Sequence, residues 1–327
     1  MPPGTGSNPT AETPLQDPAP RSRLSPRTRA ILGFVGAAVA LGVLAAVIVP
    51  RGDEVGDALG RVGIARFALV VVLGICALVC RTAAWQVAID AAGGRVRAPE
   101  AHSASAVSYL VAMLSTYLGV ITRIALIRHR VPDRSPTTPQ QIAAESALVV
   151  VEGAIVGFLL LCCSWTLGIP FLEALAIFIA GVAAVVVLVL AARRLAPRRF
   201  GAGLAVARDP RTLALVALAI SGTVLAQIAR VAVTLGSVGL DTSPFIVVAV
   251  FLASGVGAVI PIGTAASGAA APLIAASAEG NSVADATAAG VVLSGGLLVS
   301  CLVYVIAAMG ATAMLDRSAR AHAHERG

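Results

Sequence analysis

The 327-residue sequence is 57% hydrophobic and 13% charged, with a formal net charge of +7. Apolar runs long enough to cross a bilayer exclude a soluble globular enzyme and define an integral membrane protein. All 24 basic side chains are arginine; most lie in the tails and two loops, where the positive-inside rule accounts for them without a nucleic-acid partner.

In chain order, residues 1–29 are rich in Pro, Ser and Thr and carry Arg21, Arg23, Arg27 and Arg29, the composition of a disordered cytoplasmic tail. The run Ile31–Val49 is too long for a signal-peptide core and lacks a small-residue cleavage site, so it reads as the first span. Five more spans of about the 20 residues a bilayer requires are predicted at Phe67–Ala92, Ile142–Trp165, Phe171–Ala192, Leu213–Leu235 and Ala286–Leu315. Residues 30–315 thus form one transmembrane domain, followed by a second cytoplasmic tail, 316–327.

Two apolar stretches behave differently. Ser103–Ile127 is studded with Ser, Thr and Tyr and contains Arg123. If it crossed, the loop holding Arg128, Arg130 and Arg134 would face outside, against the positive-inside rule; if it dips in and returns, these arginines stay inside. Phe245–Ala278 carries no charge but clusters Pro261, Gly263, Gly268 and Pro272 at its middle. Pro removes a backbone donor and Gly costs entropy, so two half-helices meeting near residues 260–267 are expected, the alternative being one kinked span followed by a loop. For the C-terminal arginines to lie inside, this stretch must also return to its side of entry. The fold class predicted is therefore all-α integral membrane, with six spanning helices and two re-entrant helical pairs in an inverted repeat, the plan of many transporters, in a bacterial inner membrane with both termini cytoplasmic.

An ionisable group inside a span costs roughly 2.5–3.5 kcal/mol on insertion scales, so it faces a cavity or a partner. Arg81, in ALVCRTAAWQVAI, and Arg230, in LAQIARVAVTLG, occupy the second span of each repeat. A guanidinium fork matches phosphate oxygens, which makes both candidate substrate-binding groups; the alternatives are an ion pair with Glu145 or Glu152, or a side chain reaching the headgroup layer. Glu152 is deep in its span and reads either as a proton-linked carboxylate or as a counter-ion to an arginine. Glu145, two turns earlier, lies near the inner end, where solvation would suffice. Arg123 is a candidate for the cytoplasmic mouth or a topology-setting charge, and Trp85 a packing residue, an interface anchor or a platform for the Arg81 guanidinium. Pro261, Gly263 and Gly268 would form a gate at the second re-entrant turn.

Enzyme signatures are missing: the sequence has no HExxH and no P-loop, and Arg193–Arg211, the longest loop, is too short for a soluble catalytic domain. The five cysteines all lie in apolar runs. Cys76 and Cys80 are one turn apart without an accompanying His or carboxylate, so structural thiols are expected and no metal or other cofactor is implied.

The order of motifs, CRTAAW, then SYLVAMLSTYLGVITRIALIRHR, then AAESALVVVEG, then VIPIGTAASG and a long last span, resembles the membrane domain of bacterial lysylphosphatidylglycerol synthase/flippase proteins and their stand-alone flippase-like relatives. The likeness covers nearly the whole chain after residue 30. Arg123 matches the family's arginine before the basic loop, Glu152 its third-span glutamate and Pro261 the first proline of its late turn; Val120, Gly153 and Gly263–Ala265 depart from its pattern. The resemblance implies translocation of a membrane lipid with an anionic or phosphate headgroup, or of a lipid-linked precursor, with an envelope-lipid glycosyltransferase or aminoacyltransferase as partner. A membrane-embedded enzyme of lipid metabolism and a non-catalytic partner of another membrane protein are the alternatives.

Overall fold

The computed structural model describes residues 52–113, 115–165, 169–195, 199–259 and 283–324. The predicted first span, Ile31–Val49, and the gate residues Pro261, Gly263 and Gly268 lie outside them. The described residues are helical throughout, without strands. Five helices are long and apolar enough to cross a membrane: α2 (Ile64–Ala91), α5 (Thr138–Cys163), α6 (Phe171–Arg194), α8 (Pro210–Val238) and α10 (Val283–His324, apolar through Met314). These coincide with the second to sixth predicted spans, each within a few residues. The protein is an all-α, multi-pass membrane protein.

Local signals set several boundaries. The backbone N–H of Thr137 donates to Gln140 Oε1 at 2.8 Å in a capping box that starts α5, and Gly239, at φ 85°, ends α8 in the left-handed conformation a glycine adopts without penalty. Asp209 caps α8 ahead of Pro210, accepting hydrogen bonds from Thr212 Oγ1 (2.5 Å), Thr212 N (3.0 Å) and Arg211 N (3.2 Å). Those bonds, the Thr212 hydroxyl's foremost, hold its carboxyl below the usual aspartate range. A lowered folded-state pKa contributes stability above the unfolded value, lost as pH falls through the folded one. Asp209→Asn should therefore keep the cap but lose part of the acid sensitivity, whereas Asp209→Ala should lower the melting temperature already at neutral pH; melts at neutral pH and at about pH 3.5 compare the two.

The segment between α2 and α5 is a helical hairpin. Helices α3 (Ala98–Ala112) and α4 (Thr116–Arg130) have 15 residues each, about 22 Å of rise, short of a 30 Å hydrocarbon core. They run antiparallel: Arg130 Nη1 donates to Ser103 Oγ, Arg134 pairs with Glu100 at 3.0 Å, and Arg95 N–H donates to Arg134 O at 2.9 Å. The start of α3 and the end of α4 thus meet. At the turn, a side chain on Gly119 would meet Ala112 Cβ at 2.6 Å and Ser108 O at 2.9 Å, so glycine lets the two helices close. Met113 at the tip packs against the cluster of Leu78, Ala106, Cys301 and Tyr304, which puts the tip level with the middle of α2.

Antiparallel α2 and α8 form the most extensive helix pair, with Thr223 Oγ1 donating to Ala77 O at 3.4 Å and Arg66 reaching Gly236 O. Helix α10 runs parallel to α2, from an Arg61–Asp285 ion pair, through Ser300 Oγ donating to Val71 O at 3.0 Å, to Tyr304 donating to Thr82. A short α1 (Gly52–Gly60), not foreseen in the sequence, buries Ala58 among Leu235, Val238, Ala284 and Ala288. Helix α9 (Pro244–Val259) packs Val247 and Val250 into the same cluster. Between α6 and α8, a short α7 (Arg199–Gly203) precedes a turn whose Arg208 side chain donates to Ala192 O and Gly201 O, tying the loop to the end of α6. Charge is unevenly shared: Arg95, Arg97, Arg128, Arg130, Arg134, Arg194, Arg208 and Arg211 gather at one end, where they outnumber Asp90, Glu100, Asp133 and Asp209, while Asp57, Glu173, Asp241 and Asp285 lie at the other with Arg61 and Arg66.

Candidate functional site

Helices α2, α4 and α5 each contribute to one charged cluster inside the helix bundle. Arg81 pairs with Glu152 and, at 3.6 Å, with Glu145; Glu145 also pairs with Arg123. Two guanidiniums and two carboxylates therefore alternate and cancel. Arg123 is 3% exposed, its guanidinium carbon 4.7 Å from the Trp85 ring centroid, a desolvated geometry in which a cation–π contact is worth about 2 kcal/mol. Its Nε has no hydrogen-bond partner. Arg123 and Glu145 each lie seven residues from the basic end of their helices, about 10 Å by helical rise, within the depth a hydrocarbon core would occupy.

Of the sequence-derived candidates, Arg81, Arg123 and Glu152 meet here, and Arg230 does not. Its guanidinium lies beside Gly74, seven residues before Arg81 on α2 and so about 10 Å further from the basic end. Two readings of neighbouring residues need correction. Glu145 is not a solvated carboxylate at the span's inner end: its side chain is 15% exposed and it bridges both arginines. Trp85 packs in the core, 1% exposed, as one of its readings had it, and its ring faces the Arg123 guanidinium rather than that of Arg81. Spacing held a partial signal for the first, since Glu145 and Glu152 share one helix face, but only the fold could bring Arg123 to it.

Beside the cluster runs a chain of side chains that the sequence did not single out. Tyr304 Oη donates to Thr82 Oγ1 at 3.0 Å, and Tyr304 also bonds His102 Nδ1 at 2.5 Å, while Thr82 and Tyr109 hydroxyls lie 3.3 Å apart. Together they satisfy polar groups that would otherwise be orphaned where α2, α3 and α10 meet.

A groove of about 800 Å³ opens between α4 and α5. Tyr117, Val120, Ile121, Ile124 and Ile142 form its apolar walls, Arg128, His129 and Thr138 its basic end, and Glu145 of the charged cluster reaches its inner surface. Tyr117, Ile121 and Ile142 are each about half exposed or more, at 64%, 52% and 47%, so the groove is open along the flank that a bilayer would cover. Among the described residues, no group of three or more His, Cys, Asp or Glu side chains could hold a metal ion.

No family model, curated protein or solved structure matches the chain.

Proposed function

We propose that this protein moves a membrane lipid with a phosphate-bearing headgroup between leaflets, as the resemblance to lysylphosphatidylglycerol synthase/flippase membrane domains implies. The observation that carries the reading is a charge-balanced cluster placed at the inner wall of an apolar groove with a basic mouth. Isolated buried arginines would be costly, and a cluster serving only stability would be replaceable by apolar side chains of similar volume. Alternating charges solve a different problem. The phosphate enters past Arg128, takes the place of Glu145 on the Arg123 fork, and passes to Arg81; when it leaves, Glu145 and Glu152 again neutralise both guanidiniums. The acyl chains stay in the apolar groove and the bilayer beside it. At no stage is either guanidinium left without an anionic partner in low dielectric.

Two further elements of this reading concern topology. The positive-inside rule makes the arginine-rich end cytoplasmic. With that orientation α3 and α4 form a re-entrant pair, and the antiparallel α2 and α8 correspond to the second helices of two inverted repeats.

Reconstitution in liposomes with a fluorescent phospholipid and an impermeant quencher tests the proposal. Wild-type protein should make inner-leaflet label accessible to the quencher, and Arg81→Gln should not, provided it folds as judged by its melting curve. A chemically altered lipid would instead support a membrane-embedded enzyme, and unchanged protection would support a non-catalytic partner.

A further inference from the structure

Arg230 stands apart from the balanced cluster and has no counter-charge among the described residues. It is 9% exposed, and its Nε and Nη1 are buried without a hydrogen-bond partner. A side chain reaching for a headgroup layer would be exposed at its tip, so that reading does not describe it. The groups around it are small. Gly74 of α2 lies so near that a β-carbon there would be 3.8 Å from Nη1. Ser300 of α10 flanks the same glycine, but its hydroxyl is directed to the carbonyls of Val71 and Gly296. Asp285, on the same helix, pairs with Arg61 at the acidic end.

A guanidinium remains charged at any ordinary pH and offers five donors in a planar fork. With its Nε and Nη1 buried without an acceptor, this guanidinium is suited to a tetrahedral or planar oxyanion, whose oxygens its fork matches. We infer that Arg230, in the interface of α2, α8 and α10, seats a phosphoryl-type anion. A lipid phosphodiester and free inorganic phosphate share that chemistry. The seat lies on the far side of the Arg81 cluster from the basic end and does not depend on whether the protein translocates lipid.

The test uses the full-length protein in three settings: micelles of a maltoside detergent, which carries no phosphate, the same micelles with added inorganic phosphate, and the same micelles with added phosphatidylglycerol. Wild type should melt at a higher temperature with phosphatidylglycerol if the anion is lipid-borne, or with inorganic phosphate if it is free. Arg230→Met, which removes the charge but keeps the length of the side chain, should melt higher than wild type in the maltoside micelles alone and should respond to neither anion. Arg230→Lys, which keeps a charge but loses the fork, should respond with an affinity about tenfold weaker. The inference is overturned if wild type responds to neither probe, or if Arg230→Met responds as wild type does. Leaflet exchange is not read in this experiment, so failure here leaves the translocation proposal standing.

Discussion

Replacing Glu145 by alanine should destabilise the protein by about 3–5 kcal/mol, the cost of breaking a buried ion pair and leaving one charge behind. Glu145 is the only carboxylate paired with Arg123 among the described residues, and that guanidinium is 3% exposed. Without it, Arg123 keeps the Trp85 face, which offsets part of the loss but does not replace the acceptor that Nη2 loses. Glu152→Ala should cost clearly less. Arg81 would retain Glu145 at 3.6 Å, so no guanidinium of the cluster is left without a carboxylate. Denaturation of the purified variants in one detergent gives the comparison. Adding Arg123→Met to Glu145→Ala should restore much of the stability, because no uncompensated charge then remains. Equal losses for the two glutamates would mean that the bridging position of Glu145 is not what holds the cluster.

The second large effect concerns the groove. Ile121, 52% exposed on α4, lines it, whereas Ile177, 50% exposed on α6, does not. A cysteine at either position, in a background lacking the native cysteines, can be labelled with a bulky maleimide. Labelling Ile121→Cys should reduce leaflet exchange to the level of protein-free liposomes, and labelling Ile177→Cys should leave it unchanged. Equal exchange after both would place the lipid path elsewhere in the protein.

Much of the fold is legible in the sequence because a bilayer demands uninterrupted apolar runs. Hydropathy alone delimits α2, α5, α6, α8 and α10 to within about four residues; the Asp209-Pro210 and Thr137–Gln140 caps start α8 and α5 three and four residues before the expected Leu213 and Ile142. Charge bookkeeping turned Ser103–Ile127 back to its side of entry, and the backbones of Arg95 and Arg134, before and after it, share a hydrogen bond. The turn itself was not visible. Residues 113–115 contain neither Gly nor Pro; the break is an extended Ser115, at φ −162° and ψ 123°, with Gly119 permitting contact one turn later. Nor could the facing of the helices be read. A span whose whole circumference is apolar loses the 3.6-residue period that marks the buried face of a soluble helix. So Glu145 and Arg123, 22 residues apart in the chain, gave no sign of their pairing, and Arg81 and Arg230 gave none of their separation. Which polar residues share a cavity depends on helix rotation, and rotation is fixed by small-residue contacts such as Gly222 against Cys80 and Gly296 against Val70.

The account depends on α3 and α4 turning back inside the bilayer, since only then does the groove bring the charged cluster within reach of the basic leaflet. Asp133, exposed in the turn after α4, reports this directly. Asp133→Cys, in the cysteine-free background, should resist an impermeant thiol reagent added outside intact cells and react fully once the membrane is permeabilised. Modification from outside in intact cells would mean that the hairpin carries the chain across, and the groove, the cluster's access and the proposed lipid path would be contradicted together.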